Sequence, residues 1–108
     1  MESTNYPKLV EREIVFGRIT YFINFNISYE YGWYKYDQVV LEYNRYSYDG
    51  IIDALITYKY PTDKMQAVIN NYLLEPNNAE YIIAFNEMQA WRKEAKEIAK
   101  QALEYELH

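Results

Sequence analysis

The apolar positions of this chain change period twice. From Ile19 they alternate: Ile19, Tyr21, Ile23, Phe25, Ile27 and Tyr29 fall on one face. Thr20, Asn24, Asn26, Ser28 and Glu30 fall on the other, with Phe22 the exception. A period of two marks a half-buried strand, and one this long in a small domain is expected to kink or break. Tyr31-Gly32 reads as a turn, and Trp33 to Tyr43 as the next strand, strongest at Val39-Val40-Leu41. Leu9 to Phe16 reads as a shorter strand, weakened by Glu11, Arg12 and Glu13 and ended by a bend or bulge at Gly17. Residues 1–8 are polar and read as a loose lead-in.

From Tyr48 the spacing turns helical. Ser47 suits an N-cap, and Asp49 lies in the first turn, where the helix dipole favours negative charge. Ile51, Ile52, Leu55 and Ile56 give an apolar stripe for a helix over about 48–59, stopped by Pro61. Thr62 is the expected cap of a second helix, about 63–74, with Met65, Val68, Ile69, Tyr72 and Leu73 on its apolar face. Asn77 or Asn78 caps a third, about 78–106. Tyr81, Met88, Ala95 and Ala102 recur every seven residues there, with Ala84, Trp91, Ile98 and Tyr105 offset by three. That is a heptad seam.

The fold class is therefore α+β and a single domain: an N-terminal antiparallel β-hairpin or three-stranded meander (about 9–43), followed by three helices, the last long. Two short helices can cover only the first half of the third. The seam therefore has two readings: packing within this chain alone, or residues 93–108 projecting so that Ala95, Ile98, Ala102 and Tyr105 meet a partner, with self-association through the C-terminal helix as one case.

Composition adds one strong signal. The chain has 14 Tyr against 4 Phe and 2 Trp in 108 residues. Tyr has an apolar body and a polar tip, which suits half-buried sheet faces and wet interfaces. Tyr29, Tyr31, Trp33, Tyr34 and Tyr36 concentrate at the hairpin tip and form a second expected protein-contact surface. The net charge is −5, spread evenly over both halves, so the long-range field opposes nucleic acid and anionic membrane.

Catalytic chemistry finds few candidates. Cysteine is absent, which excludes disulfides, thiolate catalysis and Cys-ligated zinc. The only His is His108 at the C-terminus, and no Ser has a base beside it. Asp49 and Asp53 are the best-spaced carboxylate pair, but each has an ordinary helical role, and no further ligands accompany them. No phosphate-binding glycine motif, secretory signal pattern or run of 18 apolar residues is present. The expectation is a non-enzyme without cofactor or metal, cytoplasmic or carried on a virion. Lys93, Lys96 and Lys100 form a basic stripe that, with Tyr21, Phe25 and Tyr29 as stacking platforms, frames nucleic-acid binding as the alternative. Interleaved glutamates favour a solvated face instead, with pairs such as Lys93–Glu97 and Lys100–Glu104. A small regulator presenting an acidic face to a host protein is a further alternative.

Three blocks carry a resemblance: Tyr46-Ser47-Tyr48-Asp49-Gly50-Ile51-Ile52-Asp53-Ala54-Leu55-Ile56, the run from Lys59 to Leu73, and the run from Met88 to Lys100. In order and spacing they resemble small uncharacterised proteins from phage-derived regions of gut bacteria. The similarity covers roughly residues 46–102; the N-terminal half looks less familiar. The resemblance implies a phage or prophage accessory or virion-associated protein, and it brings no catalytic residue with it.

Overall fold

In the computed structural model, which describes residues 1–105, the chain forms a four-stranded antiparallel sheet followed by three helices. The strands are β1 (Glu2–Ser3), β2 (Val10–Val15), β3 (Arg18–Glu30) and β4 (Trp33–Glu42). The helices are α1 (Tyr48–Lys59), α2 (Thr62–Leu74) and α3 (Ala79–Glu104). The expected α+β class is therefore found. The expected third-helix end at about 106, and His108, lie outside the described residues.

The strand order β1-β4-β3-β2 puts the first residues of the chain into the sheet, where a loose lead-in was expected. Glu2 pairs with Lys35, and Ser3 with Tyr34. The chain must then cross from the β4 edge to the β2 edge, and residues 4–8 do so as a strap over the sheet face away from the helices. Asn24 fastens it: its Nδ2 donates to the Lys8 carbonyl (2.7 Å), and its Oδ1 accepts from Gln38 Nε2 (2.8 Å). Within the strap Pro7 is buried, and Tyr6 meets Tyr34 edge-on. Polar composition alone did not reveal this tether, because its partners are sixteen or more residues away in sequence for Asn24 and farther still for β1.

Two hairpin turns join the longer strands. Phe16-Gly17 and Tyr31-Gly32 each have both residues at positive φ, as a two-residue turn matching the strand twist requires. Gly17 thus serves a tight hairpin turn. The expected break in β3 is a bulge. Phe25 pairs with Asp37 and Ser28 with Lys35, so Asn26 and Ile27 together face Tyr36. Asn26 adopts φ 58°, a left-handed conformation that Asn tolerates, and its Nδ2 donates to Asp37 Oδ2 (3.0 Å). One extra residue reverses the alternation. Tyr21, Ile23 and Phe25 face the helices, but Ile27 and Tyr29 turn to the other face, against the single-face pattern of the sequence.

The core lies between the sheet, α1 and the second half of α3. It contains Val10, Tyr21, Ile23, Phe25, Val39 and Leu41 from the sheet, Ile51 and Leu55 from α1, and Trp91, Ala95, Ala99 and Ala102 from α3. Each fully buried aliphatic side chain here contributes about 1.5–3 kcal/mol. The Trp91 indole N–H donates to the Leu55 carbonyl (2.9 Å), so its polar atom is satisfied inside the core. Tyr46 stacks on Tyr21 (3.8 Å between centroids), and its hydroxyl donates to the Ala102 carbonyl (3.1 Å). That bond gives a second donor to a last-turn carbonyl of α3 that otherwise accepts only from the Tyr105 N–H.

The caps follow the sequence in two cases of three. Ser47 Oγ accepts from the Gly50 N–H (3.1 Å), and Asn78 Oδ1 accepts from the N–H groups of Glu80 and Tyr81. Thr62 is instead the first residue of α2; Pro61 precedes it, and no side chain caps that end. A β-carbon at Gly50 would stand 1.9 Å from the Arg45 carbonyl oxygen, so only glycine lets α1 start so close to the preceding turn.

Candidate interaction surfaces

The third helix divides the molecule, in the opposite sense to the one expected. Ala95 and Ala102 are 0 % and 1 % exposed, and Ile98 is half-buried against the same core. The sheet and α1 cover this half, a cover invisible when only α1 and α2 are counted as neighbours. Tyr105 lies just beyond the helix, in extended backbone, where its N–H donates to the Ala102 carbonyl. The seam expected to meet another chain is thus taken up by this chain's own core.

The first half of α3 is the part left open. It packs with α2, where Tyr72 stacks on Phe85 (4.3 Å between centroids), yet no residue of α2 is buried, and Met88 is the first buried residue of α3. The pair forms an arm. The radius of gyration is 16.3 Å, against about 13 Å for a compact chain of this length. The extents are 50 × 37 × 24 Å. Leu73 and Leu74, 68 % and 80 % exposed, end α2, and Ile83 is exposed on α3. Leu73 was legible as part of an apolar helix face; Leu74 and Ile83 fall outside the regular spacing. Over residues 61–90 the charged side chains are Asp63, Glu75, Glu80 and Glu87 against Lys64 alone. Lys64 is itself occupied, with Nζ donating to the Lys59 carbonyl (3.3 Å).

The hairpin tip does not form one aromatic surface. Tyr29 and Tyr34 meet at 4.8 Å between centroids on the face away from the helices, with Tyr6 beside Tyr34. Trp33, one residue before Tyr34, turns to the opposite face, and Tyr31 stands almost wholly exposed in the turn. Tyr36 is half-buried, and its carbonyl accepts from the Met1 ammonium (2.9 Å). The ion pair Lys35–Glu30 (3.0 Å) braces this tip and raises the Lys35 pKa through the Glu30 hydrogen bond and charge.

The nucleic-acid constellation is not assembled. Lys93, Lys96 and Lys100 are exposed on α3, but Tyr21 and Phe25 lie in the core and offer no free ring face. The pairs expected at Lys93–Glu97 and Lys100–Glu104 are not formed; Lys35–Glu30 is the ion pair among the described residues. Asp49 and Asp53 stay apart from other ligands, and the described residues contain no group of three or more His, Asp or Glu able to hold a metal. No helix among them is long and apolar enough to cross a membrane.

A groove of about 610 Å³ runs between β4 and α1, lined among others by Val40, Glu42, Asp53, Ala54 and Thr57. At its far end the neighbouring Asp37 carboxylate raises the Tyr58 pKa. No protein-family model, curated protein or solved structure matches this chain.

Proposed function

We propose that the chain is a non-enzymatic interaction module whose α2–α3 arm docks on another protein. One observation carries this reading: a helix pair without a buried residue in α2 that ends in exposed Leu73 and Leu74. Isolated helices of this length gain most of their stability from packing, so an arm of this kind is completed by a partner. The acidic rim selects that partner's chemistry. An apolar patch bordered by Lys and Arg complements Asp63, Glu75, Glu80 and Glu87, whereas a second copy would set acidic rim against acidic rim. The phage or prophage accessory role implied by the resemblance is compatible with this reading, as is a regulator of a host protein. Nucleic-acid binding finds less support, because the exposed lysines lack a stacking platform.

The test is cross-linking capture with the wild-type chain and with a Leu73→Glu/Ile83→Glu variant, beside light scattering of the purified protein. The expected result is a monomer alone in solution. It captures a protein with a basic-rimmed apolar surface, and the variant loses that protein while keeping its unfolding midpoint. A partner that the variant still binds equally well would overturn the arm. A dimer that the variant dissociates would put a second copy there instead.

A further inference from the structure

We propose that the free edge of β4 takes an extended segment of another protein as an added strand. This site belongs to the sheet and is independent of the arm. β1 pairs only with the start of β4, through Tyr34 and Lys35, with Met1 and Tyr36 exchanging backbone bonds just beyond (3.0 and 2.9 Å). Since Tyr36 turns its N–H and C=O outward, so do Gln38 and Val40, by the alternation of an antiparallel strand. Among the described residues no hydrogen bond reaches those groups. Asp37 to Glu42 thus offers about 20 Å of unpaired strand, in line with the edge that β1 already occupies.

The two edges of this sheet are treated differently. The outer edge strand β2 carries Glu11, Arg12 and Glu13, the charged pattern that discourages strand addition. The middle of the open stretch of β4 reads Gln38-Val39-Val40-Leu41, uncharged between Asp37 and Glu42, and Val40 is more than half exposed. The groove between this edge and α1 gives an incoming strand a wall. Ala54 and Thr57 leave room for a short apolar side chain, while Glu42 and Asp53 outweigh Arg45 and favour a Lys or Arg on the incoming segment. Main-chain bonding to Gln38 and Val40 would supply affinity, and the wall would supply selectivity. A second copy fits less well: pairing β4 with β4 about a two-fold axis would set two α1 helices, each bearing Asp49 and Asp53, along the same joint.

Amide hydrogen exchange by NMR tests this with a short acetylated peptide alternating Val and Lys. In the free protein the Gln38 and Val40 amides should exchange fast while Val39 and Leu41 are protected by β3. Saturating peptide should slow Gln38 and Val40 about tenfold. The same peptide N-methylated along its bonding edge should give no protection. Exchanging its Lys for Glu should weaken binding about tenfold. Val40→Pro, which removes an outward N–H at an edge where Pro is tolerated, should abolish the effect while the β3–β4 ladder stays protected. No slowing at millimolar peptide, or equal slowing by the N-methylated peptide, would overturn the proposal. So would Gln38 and Val40 amides that are already protected in the free protein and more so at higher protein concentration, since a second copy would then hold the edge.

Discussion

The two halves of α3 have the same kind of sequence and opposite surroundings. Each carries an apolar residue every three or four positions. Toward the C-terminus, Trp91, Ala95, Ala99 and Ala102 are buried; toward the N-terminus, Tyr81, Ala84 and Phe85 are only half covered, and Met88 alone is fully buried. The difference lies in what stands opposite. The C-terminal half packs on the sheet and α1, and its alanines let its backbone approach α1 closely. The N-terminal half meets one short amphipathic helix. A periodic seam therefore says which side of a helix seeks cover, and only the tertiary neighbours say how much cover it finds.

The strongest way to break this contrast is at Trp91. It is wrapped by Phe25 (5.7 Å between centroids), hydrogen-bonded to Leu55 and covered by the Lys59 ammonium, 3.9 Å from its ring centre. Trp91→Ala removes a large buried ring and leaves a cavity, and it should cost about 3–5 kcal/mol in urea unfolding. Leu73→Ala, measured the same way, should shift the midpoint little. A loss below about 1 kcal/mol for Trp91→Ala would mean that the core is not where it is placed here.

Next in size is the packing of the small residues. Ala99 is fully buried, so Ala99→Leu forces extra methylenes into a filled space and should cost about 1–3 kcal/mol. Ala90→Leu, on the exposed side of the same helix, should stay within about 0.5 kcal/mol. Equal effects at the two positions, read from thermal unfolding, would show that α3 is not closely packed at Ala99.

A pH dependence confined to the core half sharpens the contrast further. Burial raises the Tyr46 pKa, with a smaller contribution from Tyr21. The unfolded chain then loses this proton first, at the ordinary tyrosine value of about 10. Below that pH the stabilisation is fully present; it is lost as pH rises through the higher folded value. Tyr46→Phe keeps the stacking on Tyr21 but removes the bond to the Ala102 carbonyl, and it should cost about 1 kcal/mol near neutral pH. Urea midpoints taken across the alkaline range should fall less steeply in Tyr46→Phe than in the wild type. An unchanged slope would assign the alkaline loss to Tyr58 and Tyr60, whose pKa values are also raised.

What could be read from the chain alone was set by local rules. The helix limits at Lys59 and Leu74, the turn at Tyr31-Gly32 and the caps at Ser47 and Asn78 all follow from residues a few positions apart. The strap of residues 4–8 did not show, because it is held by Asn24 of β3, sixteen residues past Lys8, with Gln38 in turn bonded to Asn24. The facing of Tyr29 did not show either. A single αL residue at Asn26 inverts every side chain beyond it, and alternation carries no mark of such a bulge. Ala95, Ile98 and Ala102 look open while only α1 and α2 stand beside α3; their cover includes the sheet, which local spacing does not place against that helix.

The smallest expected effects belong to the arm, and their smallness is what distinguishes it from the core. Leu73→Ser and Ile83→Ser remove apolar groups that already stand in water, so each should change stability by no more than about 0.5 kcal/mol. Backbone exchange should report the same asymmetry without any substitution. The α1 amides around Ile51 and Leu55 open only with the core, while the α2 amides from Met65 to Leu73 lie on a helix with no buried residue and should open at lower cost. If α2 proved as protected as α1, or if Leu73→Ser destabilised the isolated chain as a core substitution does, the arm would already be covered in solution. Its exposed leucines would then be holding this chain together, not waiting for another.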